Sequence, residues 1–302
     1  MSKRRNRKGR AINGIIVLDK PKGLSSNSAL QEVKRIFNAE KAGHTGSLDP
    51  LATGVLPLCL GEATKVSRFL LDSDKRYRAR VRLGQKTDTG DAEGTVTESM
   101  PVPSLTREEL DHVVQRFSGE IEQLPPMYSA LKHKGQPLYK LAREGKEVER
   151  EPRFIEVYSI ALTDFARDEF EIDLHCSKGT YVRTIADDIG AELGCGAHVT
   201  ALRRLQAGEF READCITIEQ LGELASMESL DSLLISIDRA VSYLPEVVLP
   251  EITASCVKQG QPVLVRHLPE DGLVRLYEDG QFIGIGCILE DGRVAPRRLL
   301  NL

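Results

Sequence analysis

Two rhythms run through the apolar positions of this chain, one of period two and one near 3.6, and they predict most of its elements. Residues 14–18 are an apolar, β-branched run, a buried strand closed by the turn Asp19-Lys20-Pro21-Lys22-Gly23. Ser25, Ser26 and Ser28 offer N-caps for a helix to about Phe37, with Leu30, Val33 and Phe37 on one face. Val66, Phe69 and Leu70 predict a short helix. Residues 75–83 then alternate, with Tyr77, Ala79, Val81 and Leu83 on one face and Arg76, Arg78, Arg80 and Arg82 on the other. Such a strand has one basic face, either solvated and paired with the acidic loop of Asp88, Asp91 and Glu93, or turned towards phosphate.

Further along, Thr106 and Glu109 form a capping box for a helix carrying Leu110, Val113, Val114 and Phe117, stopped by Gly119. Runs at 154–162 and 170–176 read as strands, and the turn Ser177-Lys178-Gly179-Thr180 leads into a helix at 181–193 ended by Gly194. Arg183 falls in the first turn of that helix, where the helix dipole disfavours a cation. It is either a surface arginine or one held by a specific anionic partner. Residues 200–210 predict another strand and 217–224 a short helix. From about residue 250 a short helix precedes acidic-glycine turns at 270–272, 278–280 and 290–292, the rhythm of a small β-barrel or meander. The expected division is therefore 1–249 and 250–302.

Composition adds limits. A chain of 302 residues with 41% apolar content has room for one large and one small domain. Its net charge of −4 does not by itself advertise a nucleic-acid partner, so the distribution of charge must decide. No apolar run reaches the roughly 18 residues of a membrane helix, and the start MSKRRNRKGR lacks a signal segment, which predicts a soluble, cytoplasmic protein. The basic residues at 1–11 form a solvated tail or an arm for phosphates. Six scattered cysteines form no CxxC pair; Cys195 and His198 have a ligand-like spacing but no matching second pair, so no metal is expected.

Candidate chemistry concentrates at 43–65, GHTGSLDPLATGVLPLCLGEATK. Pro50 biases Asp49 away from helix, while Gly43, Gly46 and Gly54 permit unusual backbone angles, which predicts a shaped loop presenting one carboxylate to a close ligand. A turn aspartate is the plain alternative. A phosphate-binding loop is excluded because GEATK lacks the Gly-Lys-Ser/Thr ending. Residues 124–150, interrupted by prolines, interleave Lys132, His133, Lys134, Lys140, Arg143 and Lys146 with Tyr128 and Tyr139, a composition suited to RNA or to an ordinary surface insertion.

Several long motifs resemble the bacterial tRNA pseudouridine-55 synthases: LDKPKGLSS at 18–26, AGHTGSLDPLATGVLPLCLGEATK at 42–65, DKRYRARVRLG at 74–84, MYSALK at 127–132 and CSKGTYVRTIADDIG at 176–190. The resemblance implies an α+β fold, with a mixed, largely antiparallel central sheet and flanking helices, plus a small PUA-like C-terminal β-barrel that binds RNA. It also implies a monomer acting on the tRNA T-stem-loop with no cofactor and no metal. On the same basis Asp49 resembles the family nucleophile, attacking either C6 of the base or C1′ of the ribose, and Arg183 the arginine that keeps it ionised. Tyr77 resembles the aromatic on which the extruded base stacks and which assists at C5, and His44 the residue filling the space left in the RNA loop. Tyr181 and Leu202 match positions lining the uridine pocket, Lys20 a basic residue at its edge, and 124–150 the mobile RNA-clamping insertion. The competing expectation is a non-catalytic RNA-binding or RNA-folding protein.

Overall fold

A computed structural model describes residues 9–224, 226–269 and 271–301. Strands β1 (Gly14–Lys20), β2 (Thr53–Leu60), β3 (Lys75–Leu83), β4 (Gly119–Gln123), β5 (Arg153–Ala166), β6 (Glu169–Cys176) and β7 (Ala197–Ala207) form the main sheet. Their order is β1-β2-β7-β3-β6-β5-β4. β2 and β7 run parallel over two paired residues, and the remaining neighbours are antiparallel. Helices α1 (Ser26–Ile36), α2 (Arg107–Gln115) and α4 (Val182–Glu192) flank it, while α3 (Leu138–Arg143) belongs to the 124–150 insertion. Ser25 caps α1, and Thr106 with Glu109 caps α2 as a complete box.

The alternation of β3 decides which face it buries. Ala79, Val81 and Leu83 join Phe170, Ile172 and Leu174 of β6 under α1, α2 and α4, in a core that also takes Leu30, Val33, Leu110, Ile185 and Ile189. The arginine face is solvated. Arg78 pairs with Asp173 at 2.7 Å, Arg80 with Glu171 at 3.6 Å and Arg82 with Asp168 at 3.3 Å. The acidic loop at 88–93 is therefore not their partner, because the β3–β6 register puts Asp173 opposite Arg78 and Glu171 opposite Arg80.

The central stretch is less loop than expected. Residues 53–60 form β2, and only 45–52 lie between it and the short edge strand Ala42–His44. β1 and β2 are buried on both faces, so they show no alternation: Ile15, Val17 and Val55 face a second core with Phe210, Tyr277, Phe282 and Ile285.

That second core joins the two parts of the chain. Strands β8 (Glu246–Val248), β9 (Val263–Leu264), β10 (Leu273–Glu278), β11 (Gln281–Ile288) and β12 (Arg293–Leu299) make a five-stranded sheet in the order β8-β10-β11-β12-β9. Bulges in the β10–β11 and β11–β12 pairings curl it into half a barrel. One face closes its own core with α5 (Glu251–Lys258), through Val274, Leu276 and Ile283. Their alternating neighbours Tyr277 and Phe282 turn to the main sheet. The sheet's first strand precedes residue 250, so its hydrogen bonding begins a few residues before the texture change.

Residues 1–8 of the basic tail lie outside the described residues. Arg10 does not float; it donates to Phe37 O at 3.5 Å and pairs with Asp231. His198 Nδ1 lies 2.9 Å from Gln85 O, in contact with backbone rather than with Cys195. No helix of the described residues is long and apolar enough to cross a membrane.

Candidate active site

Asp49 sits on a loop whose every turn is fastened. Leu48, Leu51 and Ala52 are buried on either side of it. Ser26, at the start of α1, accepts from Leu48 N at 2.7 Å and donates to Leu48 O at 3.1 Å. Gly23 N donates to Pro50 O at 2.7 Å, and Ala52 N closes a turn on Asp49 O at 3.0 Å. Thr45 donates to Pro57 O through both N and Oγ1. The Asp49 carboxylate itself is 39% exposed.

Lys20 is among these fasteners. Expected at the pocket edge, it is 0% exposed, and its ammonium donates to the carbonyls of Leu24 at 2.6 Å, Pro21 at 2.9 Å and Pro50 at 3.5 Å. Burial lowers its pKa to about 8, with Asp49 opposing that fall. Its reach joins the β1–α1 turn to the aspartate loop.

Arg183, second residue of α4, is only 5% exposed, so the surface alternative is excluded. Its Nε lies 2.9 Å from Asp49 Oδ2 and 3.9 Å from Asp91 Oδ2. Nη1 donates to Thr89 O at 2.6 Å and Nη2 to Tyr128 O at 2.7 Å. One guanidinium thus joins the aspartate loop, the acidic loop and the base of the 124–150 insertion. Asp91 is itself held by Thr89 Oγ1 at 2.7 Å and Glu93 N at 3.0 Å. Burial raises the Asp49 carboxyl above its ordinary range; Arg183 opposes this and Asp91 adds to it.

Tyr77 lies half-buried at the end of the apolar face of β3, opposite Leu174 on one side and Arg204 on the other. Burial raises its phenol pKa, while the charge of Arg204 pulls the other way. Leu202 is buried one step along β7, opposite Ala79. Tyr181 precedes α4, where Gln123 pins its backbone from both sides, accepting from N at 2.8 Å and donating to O at 3.1 Å. His44 is half-buried on the edge strand beside Leu58. Burial and then Arg204 lower its pKa, so the ring is neutral near pH 7, and among the described residues its buried Nδ1 has no partner.

The structure therefore gathers Asp49, Arg183 and Tyr77, with Lys20 buried against the aspartate loop, and sets Tyr181, Leu202 and His44 on the elements around them. Reading the sequence missed Asp91 as a neighbour of Arg183, Gln123 as the clasp on Tyr181, and Arg204. Parity was the available signal for Arg204: two residues after Leu202 on one strand, it shares the inward face.

Comparison with known proteins fits this geometry. The description "TruB family pseudouridylate synthase (N terminal domain)" matches residues 34–182. The "tRNA pseudouridylate synthase B C-terminal domain" matches 183–242, and "Pseudouridine synthase II TruB, C-terminal" matches 245–300. The tRNA pseudouridine synthase B of Serratia proteamaculans is 55% identical over 308 positions, 98% of each chain. That of Vibrio parahaemolyticus is 56% identical with the same coverage. Among solved structures, a chain of a Cbf5-Nop10-Gar1 complex has a TM-score of 0.74 at 27% identity, over 95% of this chain and 84% of that one. A chain of an H/ACA RNP bound to a substrate RNA containing 2′-deoxyuridine shares the fold, with a TM-score of 0.72 at 24% identity over 96% and 85%. With such identity sustained from end to end and the three descriptions in order along it, this chain belongs to the TruB family of pseudouridylate synthases.

Proposed function

We propose that this chain converts uridine to pseudouridine in tRNA, at position 55 of the T-loop, with Asp49 as nucleophile. The observation that carries the proposal is the 2.9 Å ion pair between Arg183 and Asp49 on a loop fixed at every turn. The relatives named tRNA pseudouridine synthase B supply the substrate class.

The isomerisation breaks the N1–C1′ bond, turns the base and forms C5–C1′, with the C5 proton passing to solvent and no net oxidation. Asp49 attacks C6 or C1′ and is released when the new bond is complete, so the carboxylate is regenerated. Arg183 favours the anionic form that attack requires, against the desolvation that disfavours it. The target base must leave its stack, at a cost of a few kcal/mol. Tyr77 offers a ring beneath it, Tyr181 and Leu202 wall the pocket, and neutral His44 stacks into the space left in the RNA. Lys20 holds the aspartate loop. In the insertion, Lys132, Lys134 and Lys140 make no ion pair among the described residues and are available to phosphates. Residues 250–302 add a second RNA-binding surface, and the chain acts as a monomer.

A T-loop tRNA transcript incubated with the protein and mapped by carbodiimide-dependent sequencing tests this. Pseudouridine at position 55 is expected; a transcript left unmodified there overturns the proposal.

A further inference from the structure

Arg204 lies on β7, two residues beyond Leu202. It is 1% exposed, among the largest fully buried side chains, and carries a charge that no ordinary pH removes. A buried cation of this kind normally sits against a carboxylate, because desolvation otherwise opposes it. Here it forms no ion pair among the described residues. Its Nε donates to Val55 O at 2.6 Å and Nη2 reaches Gly46 O at 3.5 Å. Both carbonyls belong to the aspartate stretch, one on each side of Asp49.

The approach is built into the backbone. Gly54 has φ +97°, and a Cβ there would lie 2.3 Å from Arg204 O, so β7 leaves no room for a side chain at this position of β2. Gly54 pairs with Arg204 in register on one side, and Tyr77 pairs with Arg204 on the other. One side chain thus spans the loop that carries the carboxylate and the strand that carries the aromatic.

We propose that Arg204 is the positioning residue for Tyr77: its guanidinium, fixed by the Gly46 and Val55 carbonyls, holds the phenol oxygen in register with the Asp49 loop. Tyr77 and Arg204 are directly opposite on neighbouring antiparallel strands, which sets their side chains on one face of the sheet. A purely structural bolt between β2 and β7 would hold the same carbonyls without acting on the phenol. The inference rests on the functional reading above for its kinetic part alone.

The full chain with fluorotyrosine at position 77, titrated by fluorine NMR, gives a readout that needs no turnover. The charged and titratable groups acting on this phenol are Arg204, Cys176 and Asp49. Loss of the cation in Arg204→Met raises the titration midpoint, and Arg204→Lys, which keeps charge without the planar fork, raises it less. In tRNA assays Arg204→Met lowers kcat about tenfold or more with KM within about threefold, whereas the same change in a Tyr77→Phe background alters kcat less than about twofold. Should Arg204→Met fail to fold by circular dichroism, Arg204→Lys answers both questions. An unchanged phenol titration in a folded variant, or equal kinetic losses in both backgrounds, overturns the proposal. If the parent protein modifies no tRNA, the functional reading falls while the titration still decides the contact.

Discussion

At the scale of single residues, the ion pair of Arg183 and Asp49 is asymmetric in a way that governs its mutants. Asp49 takes only Nε, while both Nη groups are bound to the carbonyls of Thr89 and Tyr128. A lysine offers no such fork. Arg183→Ala is expected to lower kcat/KM about a hundredfold or more, and Arg183→Lys to recover less than about a tenth of the loss; full activity of the alanine variant in steady-state kinetics removes this role. Asp49 is raised above its usual range, chiefly by burial. With the anionic form as the proposed nucleophile, activity is expected above the raised pKa and lost as pH falls through it. The acid limb of kcat/KM should therefore lie above the ordinary carboxylate value of about 4, and a limb at or below that value contradicts the assignment. The separate partners were legible: an aspartate before proline and a first-turn arginine that the helix dipole does not favour. Arg204 and the burial of Lys20 were not, because a charged residue read alone looks solvated, and only the register of β2, β7 and β3 shows otherwise.

Among the elements, periodicity served well wherever one face is wet. The alternation of β3 and the capping box of α2 both reappear in the structure. It failed at β2, where TGVLPLCL is buried on both faces and so shows no period, although the strand carries Pro57. Pro57 is accommodated because it lies beyond the short pairing of β2 with β7, which covers Thr53 and Gly54. That pairing makes Gly54 the sharpest test at this scale. Gly54→Ala requires a side chain at φ +97° and 2.3 Å from Arg204 O, and should destabilise by about 2–4 kcal/mol in urea unfolding. A loss below about 0.5 kcal/mol would show that the strands separate freely.

Over the whole molecule, the acidic-glycine turns announced a second sheet but not which way it would face. Tyr277 of β10 and Phe282 and Ile285 of β11 point to the main sheet, and a strand pattern alone does not reveal that its outer face is covered. Burying Tyr277, Phe282 and Ile285 against β1 and β2 contributes roughly 1.5–3 kcal/mol per side chain, an upper estimate. A chain ending at Leu244 should therefore expose the Ile15 and Val17 face, bind a hydrophobic dye and unfold at lower urea than the intact protein. Unchanged unfolding of the shortened chain would mean that the second sheet is only appended. Nor was the long separation between Asp49 and Arg183 bridged by any local signal; the sheet order that sets β7 between β2 and β3, with α4 packed on β7 and β3, closes it.

The central claim is that Asp49 isomerises a uridine of tRNA, and tritium release from a tRNA transcript labelled at C5 of uridine tests it most directly, with tRNA binding measured alongside. The parent protein should release a single equivalent per tRNA, and Asp49→Asn should bind with similar affinity yet release nothing above background. Near-normal release by the asparagine variant, or none by the parent, contradicts the account.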